Sequence, residues 1–249
     1  MTGRAVANEF AKMRHLKAGL IATVMLVAVL GLSLIGLLSD PYFDPAVTTA
    51  WYALLAGLSL GTPLIAPLLL AVLASRQTDI EHQGNGWLLQ TTAGTTPGAL
   101  CRAKFYALGI IVVLTTVAAS LMSLALGRVL VGISAPLPIG HWAGFTACVL
   151  VVNLVLLAGH ILLAAKVENQ LIGLGIAVLG TLLGLFSKNL PDALAHITPW
   201  GYYALAEVAN YQDGAMVALP ISYPSFVGLA VVAGVVFVLI TSRFDRQEA

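Results

Sequence analysis

Six long apolar stretches settle which solvent most of this chain is built for. A bilayer core about 30 Å thick takes roughly 20 apolar helical residues to cross. Runs of that kind lie at Ala18–Leu38, Ala50–Ala74, Phe105–Gly127, Trp142–Ala165, Leu171–Phe186 and Ser225–Thr241, and no Asp, Glu, Lys or Arg interrupts them. Backbone polar groups must be paired in lipid, so segments this apolar and without period-two alternation are helices rather than barrel strands. With 59% hydrophobic and 9% charged residues, a water-borne surface for this chain would be insoluble. The expectation is an all-α polytopic membrane protein, one transmembrane domain over residues 1–249 with six spans.

The basic residues orient those spans. Arg4, Lys12, Arg14, Lys17, Arg76, Arg102, Lys104, Lys166, Arg243 and Arg246 fall on one side, against only Arg128 and Lys188 on the other. This bias puts both ends of the chain in the cytoplasm. The first span is too long for a signal peptide, and Leu37-Leu38-Ser39-Asp40 lacks a small-x-small cleavage pattern, so it reads as uncleaved. Cys101 and Cys148 sit at different membrane depths, which implies no disulfide; both read as small apolar residues.

Three segments outside the spans are longer than simple connections. In Gly3 to Lys17, Val6, Phe10, Met13 and Leu16 recur at helical spacing opposite Arg4, Asn8, Lys12 and His15, the pattern of an amphipathic helix lying in the inner interface. Glu9 lands on the apolar side of that helix. Its carboxylate is expected to find a cation from elsewhere, with Arg102, Lys104 and Arg76 as candidates, to reach out to water, or to act as a juxtamembrane charge paired with Lys12 at i,i+3.

The inner segment Ser75 to Lys104, at residues 75–104, is too long for a turn. Asp79, Glu81 and His82 fall on a cytoplasmic extension of the second span, and Gly84-Asn85-Gly86 breaks it, because such residues favour positive φ. A short helix from Trp87 to Ala93 then exposes Trp87, Leu88 and Thr91. Thr95-Thr96-Pro97 starts the next helix, with a threonine cap and proline at its first position. The Trp-Leu-Leu patch is either folded on the membrane surface or covered by another protein.

The outer segment Ser187 to Pro224 (187–224) repeats the threonine-proline start at Thr198-Pro199. Its aromatics Trp200, Tyr202 and Tyr203 suit an outer interface belt. Two readings fit it: short re-entrant helices dipping into the outer leaflet, or a plain extracellular cap.

Inside the spans, Gly173, Ala177, Gly180 and Gly184 form a small-residue stripe that lets a second helix approach, from the same chain or from another subunit. Gly57-x-x-x-Gly61 is a weaker signal of the same kind, and Pro63 and Pro67 below it predict a kink or unwinding. Asn153 and His160 share one face of the fourth span. They either line a substrate cavity or hydrogen-bond between packed helices.

No span carries an acidic or strongly basic side chain, which disfavours an ion-coupled carrier, although His160 keeps that class open alongside an ATP-independent channel. Gly132-Ile133-Ser134-Ala135 faintly suggests an intramembrane serine enzyme, without a matching histidine. The chain has neither H-E-x-x-H nor C-x-x-C, and no phosphate-binding G-x-x-x-x-G-K-[ST] loop. Catalytic and metal-binding residues are therefore expected to be none, with any ATP and Mg held by a separate chain, and no nucleic-acid partner is expected.

The layout as a whole, together with Glu9-Phe10-Ala11-Lys12-Met13-Arg14, Glu81-His82-Gln83-Gly84 through Trp87-Leu88-Leu89 to Pro97, and Arg102-Ala103-Lys104-Phe105, resembles the permease subunit of ABC-2 type transporters. Its flavour is nearest the permeases that protect bacteria from lantibiotics. That resemblance implies an elbow helix carrying Glu9, Phe10, Lys12 and Arg14. It implies an ATPase-coupling segment of Glu81, Trp87, Leu88, Leu89, Arg102 and Lys104. It also implies cytoplasmic ABC ATPase partners, a second permease subunit meeting the fifth span, the lipid bilayer as surroundings, and export of an amphipathic or hydrophobic substrate from the bacterial cell membrane. The inner loop departs from the pattern in its Gly84-Asn85-Gly86 and threonine pairs, where relatives carry more charge.

Overall fold

The computed structural model describes residues 3–39, 43–212 and 215–247. Asp40 and the side chain of Arg4 lie outside the described residues. Among the described residues, six helices are long and apolar enough to cross a membrane. An amphipathic helix α1 (Gly3–His15) leads into α2 (Ala18–Leu38), with Lys17 between them in the left-handed region at φ 55°. Next come α3 (Ala50–Gln83), the short α4 (Gly86–Thr92), α5 (Pro97–Val129), α6 (Ile139–Lys166) and α7 (Gln170–Phe186). The outer segment holds α8 (Asp192–Ala195), α9 (Tyr202–Leu205) and a hairpin of β1 (Ala209–Gln212) and β2 (Ala215–Ala218). The chain closes with α10 (Tyr223–Gln247).

Helix α3 is the hub, packed against α2, α6 and α7, while α10 lies at the periphery against α5 and α6. The close approach of α2 comes from the predicted glycines. A Cβ at Gly57 would sit 2.8 Å from the Ser33 carbonyl oxygen, and one at Gly61 would sit 3.1 Å from that of Val29. Pro63 and Pro67 do not unwind α3, which stays helical through both. The helix runs on past Ala74 to Gln83 and so carries Gln77, Asp79 and Glu81 beyond the apolar zone.

The predicted breaks fall where the residue chemistry puts them. Asn85 adopts φ 50°, separating α3 from α4. Thr96 caps α5, its hydroxyl accepting from the Ala99 N–H at 3.4 Å with Pro97 in the first turn. Thr198 likewise accepts from Gly201 at 3.3 Å, at a 3₁₀ turn Pro199–Gly201.

The outer segment differs from an aromatic belt. Tyr202 and Tyr203 are buried, and the Tyr203 hydroxyl donates to Asn153 Oδ1 at 2.5 Å. Trp200 lies on α7, where a Cβ at Gly180 would fall 2.1 Å from its ring and one at Gly184 would fall 3.1 Å from its carbonyl oxygen. Half-burial of the Trp200 ring follows from the slot that Gly180 and Gly184 leave on α7, and the two tyrosines are buried against the bundle instead of standing in the headgroup zone. The segment thus contains short helices inserted against the bundle, plus a β-hairpin that period-based reading did not anticipate.

Candidate coupling site

At the Lys/Arg-rich end, three helices converge on a buried charge cluster. Lys104 on α5 is fully buried, and its ammonium donates to Glu9 Oε2 at 2.9 Å, Glu81 Oε1 at 2.8 Å and the Gln77 carbonyl at 2.8 Å. Three donors meet three acceptors, so the lysine's hydrogen-bonding capacity is filled. Lys12 on α1 donates to Glu9 Oε1 at 2.7 Å and to Glu81 Oε1 at 2.6 Å. Gln77 adds its side-chain amide to Glu9 Oε2 at 2.8 Å. Two carboxylates and two ammonium groups balance, which is the condition for keeping charge in a dry site.

The helical positions explain the convergence. Gln77 and Glu81 are four apart on α3 and face the same way, and Glu9 and Lys12 are three apart on α1. Two of the four cations considered for Glu9 are therefore used at once: Lys104 from across the bundle and Lys12 from its own helix. Arg76 and Arg102 are not in the cluster. Burial works against the charge on Lys12, but its hydrogen bonds to Glu81 and Glu9 and their negative field outweigh it, holding the lysine pKa above its ordinary value.

This pairing changes the reading of α1. Its buried face is centred on Glu9 and Met13, whereas Phe10 and Arg14 are exposed. The ion pairs, and not the apolar stripe alone, decide how the helix is rolled.

Helix α4 folds back on the same cluster. A Cβ at Gly86 would lie 2.4 Å from Glu81 Oε2, so the turn tolerates only glycine there. The Trp87 indole N–H donates to His82 Nδ1 at 3.3 Å, and His82 Nε2 is 2.8 Å from the Ala164 carbonyl at the end of α6. A histidine accepting at Nδ1 carries its proton on Nε2 and donates it to Ala164. Trp87 is thus half-buried and turned inward, not displayed as the sequence pattern predicts. Leu88 and Leu89 are the displayed pair, 65% and 63% exposed.

Other expected coupling residues are likewise internal. Glu81 and Lys104 are too deep to touch another protein. Arg102 pairs with Asp245 of α10 at 3.0 Å, and that carboxylate also accepts from the Ala99 N–H at 3.2 Å. The close contact of α5 with α10 needs Gly98, whose Cβ would otherwise lie 1.9 Å from the Thr241 carbonyl. Asp245, Gln77 and Gly98 escaped sequence reading; only the i,i+4 spacing of Gln77 and Glu81 pointed toward one of them.

The remaining expected site residues sit within the bundle. Asn153 is fully buried and donates to Thr116 Oγ1 at 3.0 Å while accepting from Tyr203, so it fastens helices together. A cavity of about 30 Å³ beside it, lined also by Thr62, Thr115 and Ser120, is enough for water alone. His160 is buried 6.4 Å from the Trp200 ring, and its Nε2 has no protein partner. Gly180 and Gly184 of the α7 stripe are filled by Trp200 of the same chain, Ala177 is buried, and a Cβ at Gly173 would make only an ordinary 4.0 Å contact with Leu163 of α6. Ser134 is exposed on its loop, with its N–H bonded to the Pro45 carbonyl. Cys101 and Cys148 are free and buried.

Six apolar spans, an interfacial helix tied into them by ion pairs and a short helix held at the basic end describe a membrane transport subunit. A family model for the ABC-2 family transporter protein matches residues 5–184, from α1 to near the end of α7. The chain belongs to that family and is an ABC transporter permease, a multi-pass protein of the bacterial cell membrane. A search of curated proteins returned no match.

Proposed function

We propose that this permease is driven by separate cytoplasmic ABC ATPase subunits that grip α4, and that it exports an amphipathic or hydrophobic substrate, of which a lantibiotic-like peptide is the leading candidate, by alternating access. In this reading ATP and Mg are bound by the ATPase and none by this chain, which performs no covalent chemistry. A second permease subunit, a copy or a homologue, completes the substrate path.

The observation that carries the reading is the arrangement of α4. Two adjacent leucines point outward from a seven-residue helix that is too short to be stable alone. It is held by Trp87, His82 and the contact of Gly86 with Glu81. Apolar surface displayed on a tethered helix suits a protein groove. Force applied there reaches Glu81, and through Lys104 and Lys12 it reaches α5 and α1 together. The spans enclose an almost charge-free interior, which supports an apolar or amphipathic cargo.

The test is to coexpress the chain with its ATPase and change Leu88→Glu and Leu89→Glu together. Loss of copurification and of substrate-stimulated ATP turnover, with unchanged membrane insertion, is the expected result. Normal turnover in that variant removes α4 as the coupling element.

A further inference from the structure

A second concave site opens on the opposite flank of α3, between its extension past the apolar zone and the start of α7. Its volume is about 550 Å³, inside the roughly 300–1,000 Å³ range of small-molecule sites. Arg76, Asp79, Gln83 and Gln170 line its polar part, and Leu171 and Leu174 its apolar part. Arg76, Asp79 and Gln83 sit on the stretch of α3 beyond the apolar zone and Gln170 at the first residue of α7, whereas Leu174 and Ala71 belong to the spans. The hollow is therefore graded with depth, from bilayer interior to headgroup level.

Its charges are not spent on each other. Arg76 is exposed and belongs to no ion pair among the described residues. Asp79, one turn away on the same helix face, accepts from the Gln83 amide at 2.5 Å and likewise forms no ion pair there. A guanidinium and a carboxylate one helical turn apart on the wall of a concavity present the complement of a headgroup that carries one phosphate and one cation. Arg fits a phosphate with two parallel donors, and Asp79 fits a cation able to donate hydrogen bonds. The apolar rim is displayed to match: Leu171 is 74% exposed and Leu174 38%.

We propose that this hollow seats a bilayer phospholipid with a primary-ammonium headgroup, its phosphate on Arg76, its ammonium on Asp79 and its acyl chains along Leu171 and Leu174. An anionic lipid satisfies Arg76 but meets the Asp79 carboxylate. A quaternary-ammonium lipid offers the charge but no N–H. The site thus discriminates by headgroup and not merely by chain.

The test uses the full chain purified from membranes, reconstituted in equal mixtures of phosphatidylethanolamine, phosphatidylcholine and phosphatidylglycerol, re-extracted and analysed for retained lipid by native mass spectrometry. Phosphatidylethanolamine should be retained about tenfold over the other two, the scale of one charge-assisted hydrogen bond. Arg76→Gln should abolish retention. Asp79→Asn should keep lipid bound but bring the ethanolamine and choline lipids level. Soluble glycerophosphoethanolamine should not displace the lipid, since it lacks the chains. Equal retention of all three lipids by the unmodified chain, or preference for phosphatidylglycerol, overturns the proposal. So does efficient disulfide pairing of a Leu171→Cys variant with a second copy of the chain, which makes the hollow a subunit interface. Both substitutions are on the rim, and unchanged circular dichroism and elution confirm that folding is intact.

Discussion

Replacing Lys104 with Met tests the buried cluster directly. Methionine keeps the volume and the unbranched stem, so packing is little disturbed. What disappears is an ammonium with three hydrogen bonds, 2.8–2.9 Å long, to two carboxylates and a carbonyl. Glu9 and Glu81 then share Lys12 alone, which leaves one uncompensated negative charge among side chains that are 1% and 2% exposed. Removing one partner of a buried pair costs about 3–5 kcal/mol, a large part of the roughly 5–15 kcal/mol that stabilises a typical domain. At about 2–4 °C per kcal/mol for a chain of this size, the midpoint of thermal inactivation should fall by around 10 °C. Detergent-solubilised protein followed by fluorescence-detected size exclusion after heating reads this out. The partner substitution sharpens it: adding Glu81→Gln to Lys104→Met removes the surplus charge and should restore about 1–3 kcal/mol of the loss, a coupling that independent sites do not show. A fall of less than 2 °C for Lys104→Met, or strict additivity in the double variant, would refute the idea that these residues form one neutral unit.

Three more outcomes follow from the geometry. Tyr203→Phe strands the buried Asn153 carbonyl oxygen and should cost about 1–3 kcal/mol, measured by the same thermal assay; no change would mean that Tyr203 does not fasten the outer segment. Gly180→Ala drives a methyl group into the Trp200 ring and should cost about 1–3 kcal/mol through overpacking while leaving the oligomeric state unaltered; a specific loss of dimer by multi-angle light scattering would return the stripe to a subunit interface. The raised Lys12 pKa means that its contribution is complete below the unfolded value of 10.5 and is lost only as pH rises through the higher folded value. The thermal penalty of Lys12→Met should therefore be equal at pH 6 and pH 9, and a penalty that vanishes between those values would contradict the pairing.

The membrane-spanning framework was legible because lipid enforces it. The apolar run of α2 ends where the helix does, and the breaks at Asn85 and Thr96 follow from backbone chemistry that is local to a few residues. Glu9 was also informative, since a carboxylate on an apolar face must find a cation or reach water. That Lys104 and Lys12 both serve it while Arg76 and Arg102 do not was beyond sequence, because the answer depends on how α1 rolls against α3 and α5. The orientation of Trp87 was misread for a related reason. Its indole has a partner in His82 five residues earlier, across a turn whose geometry no periodicity encodes. The outer segment was hardest to read: Tyr203 and Trp200 are as compatible with a headgroup belt as with a glycine slot, and only the tertiary placement of α7 decides. Asp245 carries no local signal, since its pairing with Arg102 depends on how α10 meets the start of α5.

The central claim is that a permease of this family is worked through α4, by Leu88 and Leu89 and not by Trp87. Site-directed crosslinking in the complex with the coexpressed ATPase measures it most directly, with single cysteines placed at 87, 88 and 89 and the buried Cys101 and Cys148 as internal controls. The account predicts crosslinks to the ATPase from positions 88 and 89, with position 87 and both native cysteines silent. Crosslinking from 87 alone, or from none of the three while ATP-driven transport persists, would contradict it.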